Sequence, residues 1–77
     1  MAVVRIKDWV IKRKARYFEK ANDIAKLLGV SDTIVSLWNK DDRNVSMDVA
    51  ICIYQIDGTV IHPFSEESIK YEIERRK

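Results

Sequence analysis

The sequence predicts an all-α fold of about five helices, and three kinds of observation predict it. Apolar residues recur at helical spacing in one segment after another. Serines stand where helices would begin, at Ser31, Ser46 and Ser65, and a serine hydroxyl in that place accepts from a first-turn backbone N–H. Glycines stand where helices would stop, at Gly29 and Gly58, because glycine takes the left-handed backbone of a helix end without steric cost.

The first segment, RIKDWVIKRKARYF, places Ile6, Trp9, Val10 and Tyr17 at helical spacing with Phe18 beside them, and its cations mostly on other faces. A helix over about 7–18 is expected. Ahead of it, Ala2 to Ile6 is rich in β-branched residues. That predicts a short extended segment near 2–6, able to pair with another near 59–62, where Thr59 to Ile61 is the natural partner. Next, KANDIAKLLG carries Ala21, Ile24, Ala25, Leu27 and Leu28 on one face and ends at Gly29, a helix over about 22–28. Ser31 then caps a third helix over about 32–39, with Asp32 at its positive end and Ile34, Val35 and Trp38 as its apolar stripe. KDDRN is a loop by composition. After the break at Pro63, SEESIKYEIERRK starts again as a helix. Ser65 caps it, Glu66 and Glu67 occupy the first turn, Ile69 and Ile73 bury, and Arg75, Arg76 and Lys77 complement the negative end.

Between these lies VSMDVAICIYQIDGTV, which carries two sets of signals. Val45, Met47, Val49, Ile51 and Ile53 alternate with polar Ser46 and Asp48, and Asp-Gly before Thr-Val is a hairpin cue. Against that, Ser46 is an N-cap, Asp48 stands in a first turn, Val49, Ile53 and Ile56 recur at helical spacing, and Gly58 is a stop. Alternation also fails after Val49, so the helix is the expectation. The alternative is an α+β fold with a C-terminal β-hairpin over 45–62.

Seventy-seven residues make one domain, 1–77, and a chain this short buries only about 60% of its unfolded surface. A dimer interface would add burial. Tyr54, Ile61, Phe64, Ile69 and Ile73 exceed what so small a domain easily hides, so the segment 59–77 is the expected homodimerisation region. One cysteine, Cys52, excludes an internal disulfide and fits a reducing, cytoplasmic setting. In its apolar run the thiol is expected to be buried and inert. No apolar run is long enough for a membrane span. Net charge is +2, but Arg5, Lys7, Lys12, Arg13, Lys14, Arg16 and Lys20 crowd the first twenty residues against Asp8 and Glu19. Such asymmetry fits a surface facing a polyanion, or a solvated face that keeps the chain soluble.

The pattern from Ala25 to Trp38 is the most informative. Ala25 is small where a second helix must cross closely, Gly29 turns the chain, and Ile24, Leu28, Val30, Val35 and Trp38 supply inward positions. This is the helix-turn-helix pattern over 21–40, in which a first helix braces a second whose leading residues enter the DNA major groove. The run DIAKLLGVSDTIVSLWNK resembles the helix-turn-helix of the Cro and repressor family of temperate phages, with a signature shared by YdaS-type regulators. The resemblance is most specific over Ala21 to Lys40 and poor over the first dozen residues. It implies a lambda-repressor-like domain, a bacterial host cell, and a transcriptional repressor that binds an operator as a homodimer. Proteins of that family occur with either an all-helical or a hairpin C-terminal half.

On this reading Ser31, Asp32, Thr33, Ser36 and Leu37 are the base-contact candidates, exposed on one helix face. Thr33 and Ser36 can bond base edges, and the Thr33 methyl can meet a thymine methyl. Asp32 fits a first-turn helix charge better than a base contact. For Leu37, core packing and a thymine methyl are both open. Lys20, Asn22, Lys40, Arg43 and Asn44 are the phosphate candidates, each equally an ordinary solvated residue. About two of Lys12, Arg13, Lys14 and Arg16 are expected to reach phosphate. Catalysis finds no support: His62 is alone, no metal-ligand spacing exists, and no Gly-rich phosphate loop occurs. No cofactor, small-molecule substrate or membrane partner is expected beside double-stranded DNA. A protein-interaction module or antitoxin-like adaptor on the same helical core is the alternative, motivated by Asp32, Asp41 and Asp42 near the DNA-facing side.

Overall fold

Serine and glycine punctuation divides the chain as the spacing predicts. The computed structural model describes residues 3–41 and 43–77. Its elements are β1 (Val3–Val4), α1 (Ile6–Tyr17), α2 (Ala21–Leu28), α3 (Asp32–Lys40), α4 (Met47–Asp57), β2 (Val60–Ile61) and α5 (Glu66–Arg75). The fold is mostly helical, and its one sheet among the described residues is a two-stranded parallel pairing, Val3 with Val60 and Val4 with Ile61. The expected pairing of the two extended segments is therefore present. Ala2, within the expected arm, and Asp42, within the expected loop, lie outside the described residues.

The ambiguous stretch is helical, and the hairpin alternative over 45–62 is overturned. Ser46 Oγ accepts from the Val49 N–H at 3.3 Å, and the Ser46 carbonyl accepts from the Ala50 N–H at 3.1 Å. At the other end Gly58 takes φ 78°, and its N–H donates to the Tyr54 carbonyl at 2.8 Å. Asp57-Gly58 thus terminates a helix, and the Asp57 carboxylate accepts from the Thr59 N–H at 3.0 Å as the chain leaves for β2. The apparent alternation arises because α4 buries Val49, Ala50, Ile51 and Ile53, a band wide enough to satisfy both periods at once.

The chain groups into two compact units. In one, Arg5–Arg43, α3 packs against both α1 and α2, and Ile6, Trp9, Val10, Ile24, Ala25, Leu28, Val35 and Trp38 are buried. Four apolar residues expected inside are exposed instead: Tyr17, Phe18, Leu27 and Ile34. The core stripe of α1 ends at Val10; one turn on, its place is taken by Arg13, so Tyr17 lies beyond the core. Phe18 leaves the helix altogether, at φ 55°.

The second unit joins Val3 and Val4 to Asn44–Lys77. Here α4 packs against α5 and β2, and β1 pairs with β2. Two of the expected partner-facing residues are corrected: Ile61 and Ile69 are fully buried. Ile61 lies in the paired strand and Ile69 on the inward stripe of α5, so both serve the unit's own packing. Tyr54, Phe64 and Ile73 are half-buried, Ile73 less hidden than its spacing from Ile69 implied, and the Tyr54 hydroxyl donates to Glu66 at 3.3 Å. Cys52 is half-buried rather than buried, because it falls one step around α4 from the Val49 and Ile53 stripe. Ser65 and Ser68 cap α5 reciprocally, Ser65 Oγ accepting from the Ser68 N–H at 3.2 Å and Ser68 Oγ from the Ser65 N–H at 3.1 Å.

Candidate nucleic-acid interface

The turn between α2 and α3 is set by backbone chemistry. Gly29 adopts φ 69°, and both its N–H and that of Val30 donate to the Ala25 carbonyl, the latter at 3.0 Å. This closes α2 in a Schellman-type end. Two residues later Ser31 Oγ accepts from the Ile34 N–H at 3.3 Å and opens α3. Ala25 is only 1% exposed on a helix that packs against α3, and a larger side chain there would overpack the core.

With Val35 and Trp38 buried, helical geometry turns Thr33, Ser36, Leu37 and Lys40 to the opposite side of α3. Thr33, Ser36 and Lys40 are exposed and Leu37 is half-buried. That surface offers two hydroxyls, a methyl, an aliphatic chain and an ammonium group. Ser31 and Asp32, also exposed, stand at the leading end. The Ser31 oxygen already accepts a capping bond, so what it can still offer is its O–H as a donor. Ile34, 38% exposed, joins this end of the helix, a position that the apolar stripe had assigned inward. It lies one step around from Val35 and Trp38, at the edge of the stripe, where apolar character alone does not distinguish inside from outside.

The expected phosphate residues divide by position. Lys20 immediately precedes α2 and Asn22 lies in its first turn, both exposed, and the Asp23 carboxylate accepts from the Lys20 N–H at 3.0 Å. Lys40 closes α3. Arg43 pairs with Asp41 at 3.7 Å, both side chains more than half exposed, a contact easily exchanged for another anion. Asn44 is exposed but belongs to the other unit, so only four of the five share the unit of α3.

One member of the basic run of α1 is engaged within the chain. Arg13 is largely withdrawn from solvent, its Nε 2.6 Å from Glu19 with side-chain exposures of 13% and 18%. Its guanidinium lies 4.3 Å from the Tyr17 ring centroid and 5.4 Å from that of Trp9. A cation so engaged by a carboxylate and two aromatic rings is a structural tie rather than a spare charge. Sequence spacing could not reveal this, since Glu19 meets Arg13 only because the chain reverses at Phe18. Lys12 and Arg16 remain exposed, with Lys14 half-buried.

Among the described residues no group of three or more His, Cys, Asp or Glu side chains is placed to hold a metal ion, and no helix is long and apolar enough to cross a membrane. Comparison of the chain with protein-family models, curated proteins and solved structures finds no match.

Proposed function

We propose that this chain is a sequence-specific DNA-binding transcriptional regulator of the Cro-like kind, acting as a repressor by occupying an operator as a homodimer. The observation that carries the reading is the face of α3: Thr33, Ser36, Leu37 and Lys40 stand together opposite buried Val35 and Trp38, on a helix held by a capped glycine turn and braced by α1 and α2. Small hydroxyl and aliphatic side chains at that place can read base edges and thymine methyls at close approach. Lys20, Asn22, Lys40 and Arg43 supply phosphate contacts around them. With no Arg, Asn or Gln on the outward face to make bidentate base contacts, part of the specificity falls to DNA shape and deformability.

Titrating the full chain with duplex DNA over graded salt tests the proposal. Binding that weakens steeply with salt is expected, and no affinity at low salt overturns it. Thr33→Ala and Ser36→Ala should relax the preference for a selected site by about tenfold, within the usual value of a base contact. Lys40→Ala should weaken all sequences alike. A second reading, a protein-interaction module, draws on the exposed carboxylates Asp32 and Asp41 at either end of α3. It gains ground if DNA binding is absent.

A further inference from the structure

Phe18 combines two features that separately would each count against a phenylalanine. Its backbone is left-handed, φ 55° and ψ 27°, a conformation glycine takes freely and a residue with a Cβ takes only under strain. Its side chain is 86% exposed, so the ring gains no burial in return. Strain that packing does not repay points to a use for the side chain in contact with something else.

The surroundings indicate what that partner is. Two residues before Phe18 stands Arg16 and two after it Lys20, both exposed. Of the nearby carboxylates, Glu19 is balanced by Arg13 and Asp23 is bonded to the Lys20 backbone N–H. Tyr17, beside Phe18 in the chain and 53% exposed, is held by the Arg13 guanidinium, which fixes the end of α1 from which Phe18 projects. An exposed aromatic ring flanked along the chain by exposed cations suits a polyanion that also carries apolar faces. An apolar protein surface would instead have to desolvate both cations. The backbone of DNA provides that combination, phosphates alternating with deoxyribose rings.

We propose that Phe18 is a DNA-contacting residue whose ring lies against deoxyribose faces of the strand whose phosphates Arg16 and Lys20 neutralise. The proposal rests on the DNA-binding reading above and extends it to the junction of α1 and α2, a position outside the recognition helix. The contact is independent of sequence, because every nucleotide presents the same sugar.

The test uses the full chain and a mixed-sequence DNA duplex at low salt, comparing wild type with Phe18→Gly and Phe18→Asn. Both replacements tolerate a left-handed backbone, so the thermal midpoint should hold or rise. Affinity should fall by about tenfold in both, the scale of a single aromatic contact to a nucleotide, with the salt slope unchanged because no charge is altered. Phe18→Tyr should retain wild-type affinity. Unchanged affinity in the glycine and asparagine variants overturns the role of Phe18 and leaves the DNA reading intact. Absence of binding by wild type overturns both. A loss of affinity matched by loss of self-association in sedimentation also overturns the proposal, assigning the ring to a second copy of the chain.

Discussion

A positive φ has opposite consequences at the C-terminal ends of α1 and α2. At Gly29 a Cβ would meet nothing within 4 Å, so packing makes no demand for glycine and the φ of 69° makes all of it. Gly29→Ala should therefore destabilise the chain by roughly 1–2 kcal/mol, the cost of the left-handed region for an L-residue, read as a lower urea midpoint with unchanged slope. A larger loss would mean that the turn itself rearranges. The sequence announces Gly29 because a glycine after an apolar helical stripe has few other reasons to be there. It could not announce the same backbone at Phe18, where the residue type argues for burial and the surrounding chain decides otherwise.

Helix starts and stops were legible because their chemistry is short-range: Ser31, Ser46 and Ser65 cap residues three positions away, and Gly58 ends α4 through a bond to Tyr54. Such contacts are decided within a few residues and settle the helix against the hairpin despite the alternation from Val45 to Ile53. What stayed illegible was where each apolar stripe meets the limit of the core. Ile34 and Leu27 fall outside it and Ile61, expected at a partner surface, falls inside it, which depends on neighbours distant in sequence. The outward face of α3 was readable for the same reason as the caps, since buried Val35 and Trp38 fix its direction, whereas the pairing of Arg13 with Glu19 was not. At the last turn of α5, hydrogen bonding from the Arg75 guanidinium, aided by its charge and that of Arg76, holds the Glu72 carboxyl below the ordinary glutamate range. A carboxyl whose folded value is lowered stabilises the fold above its unfolded value, and that stabilisation is lost as pH falls through the folded one. Acid titration of α5 helicity should show a small loss below the ordinary carboxylate range. In Glu72→Gln that component should disappear, and its persistence would place the titrating group elsewhere.

For the whole molecule the open quantity is how many copies act together, since a homodimer needs a surface that Ile61 and Ile69, being buried, do not provide. On the unit that carries α5, Tyr71 is 66% exposed, near half-buried Phe64 and Ile73 in the sequence. If dimers form through this unit, Tyr71→Ser should shift sedimentation toward monomer by about tenfold in dissociation constant, the scale of an interface aromatic. Sedimentation of wild type as a monomer at every concentration would count against the homodimer. The parallel pairing of Val3 with Val60 bears on a different matter, the order of events in folding. The helices depend on neighbours a few residues away, but this pairing must close a loop that takes in most of the chain, and closure entropy grows with loop length. The strands should therefore join late and part early. In hydrogen exchange the His62 amide, which donates to the Val4 carbonyl at 2.9 Å, should lose its protection before the amides of α4, so that the molecule begins to open where its two distant segments meet.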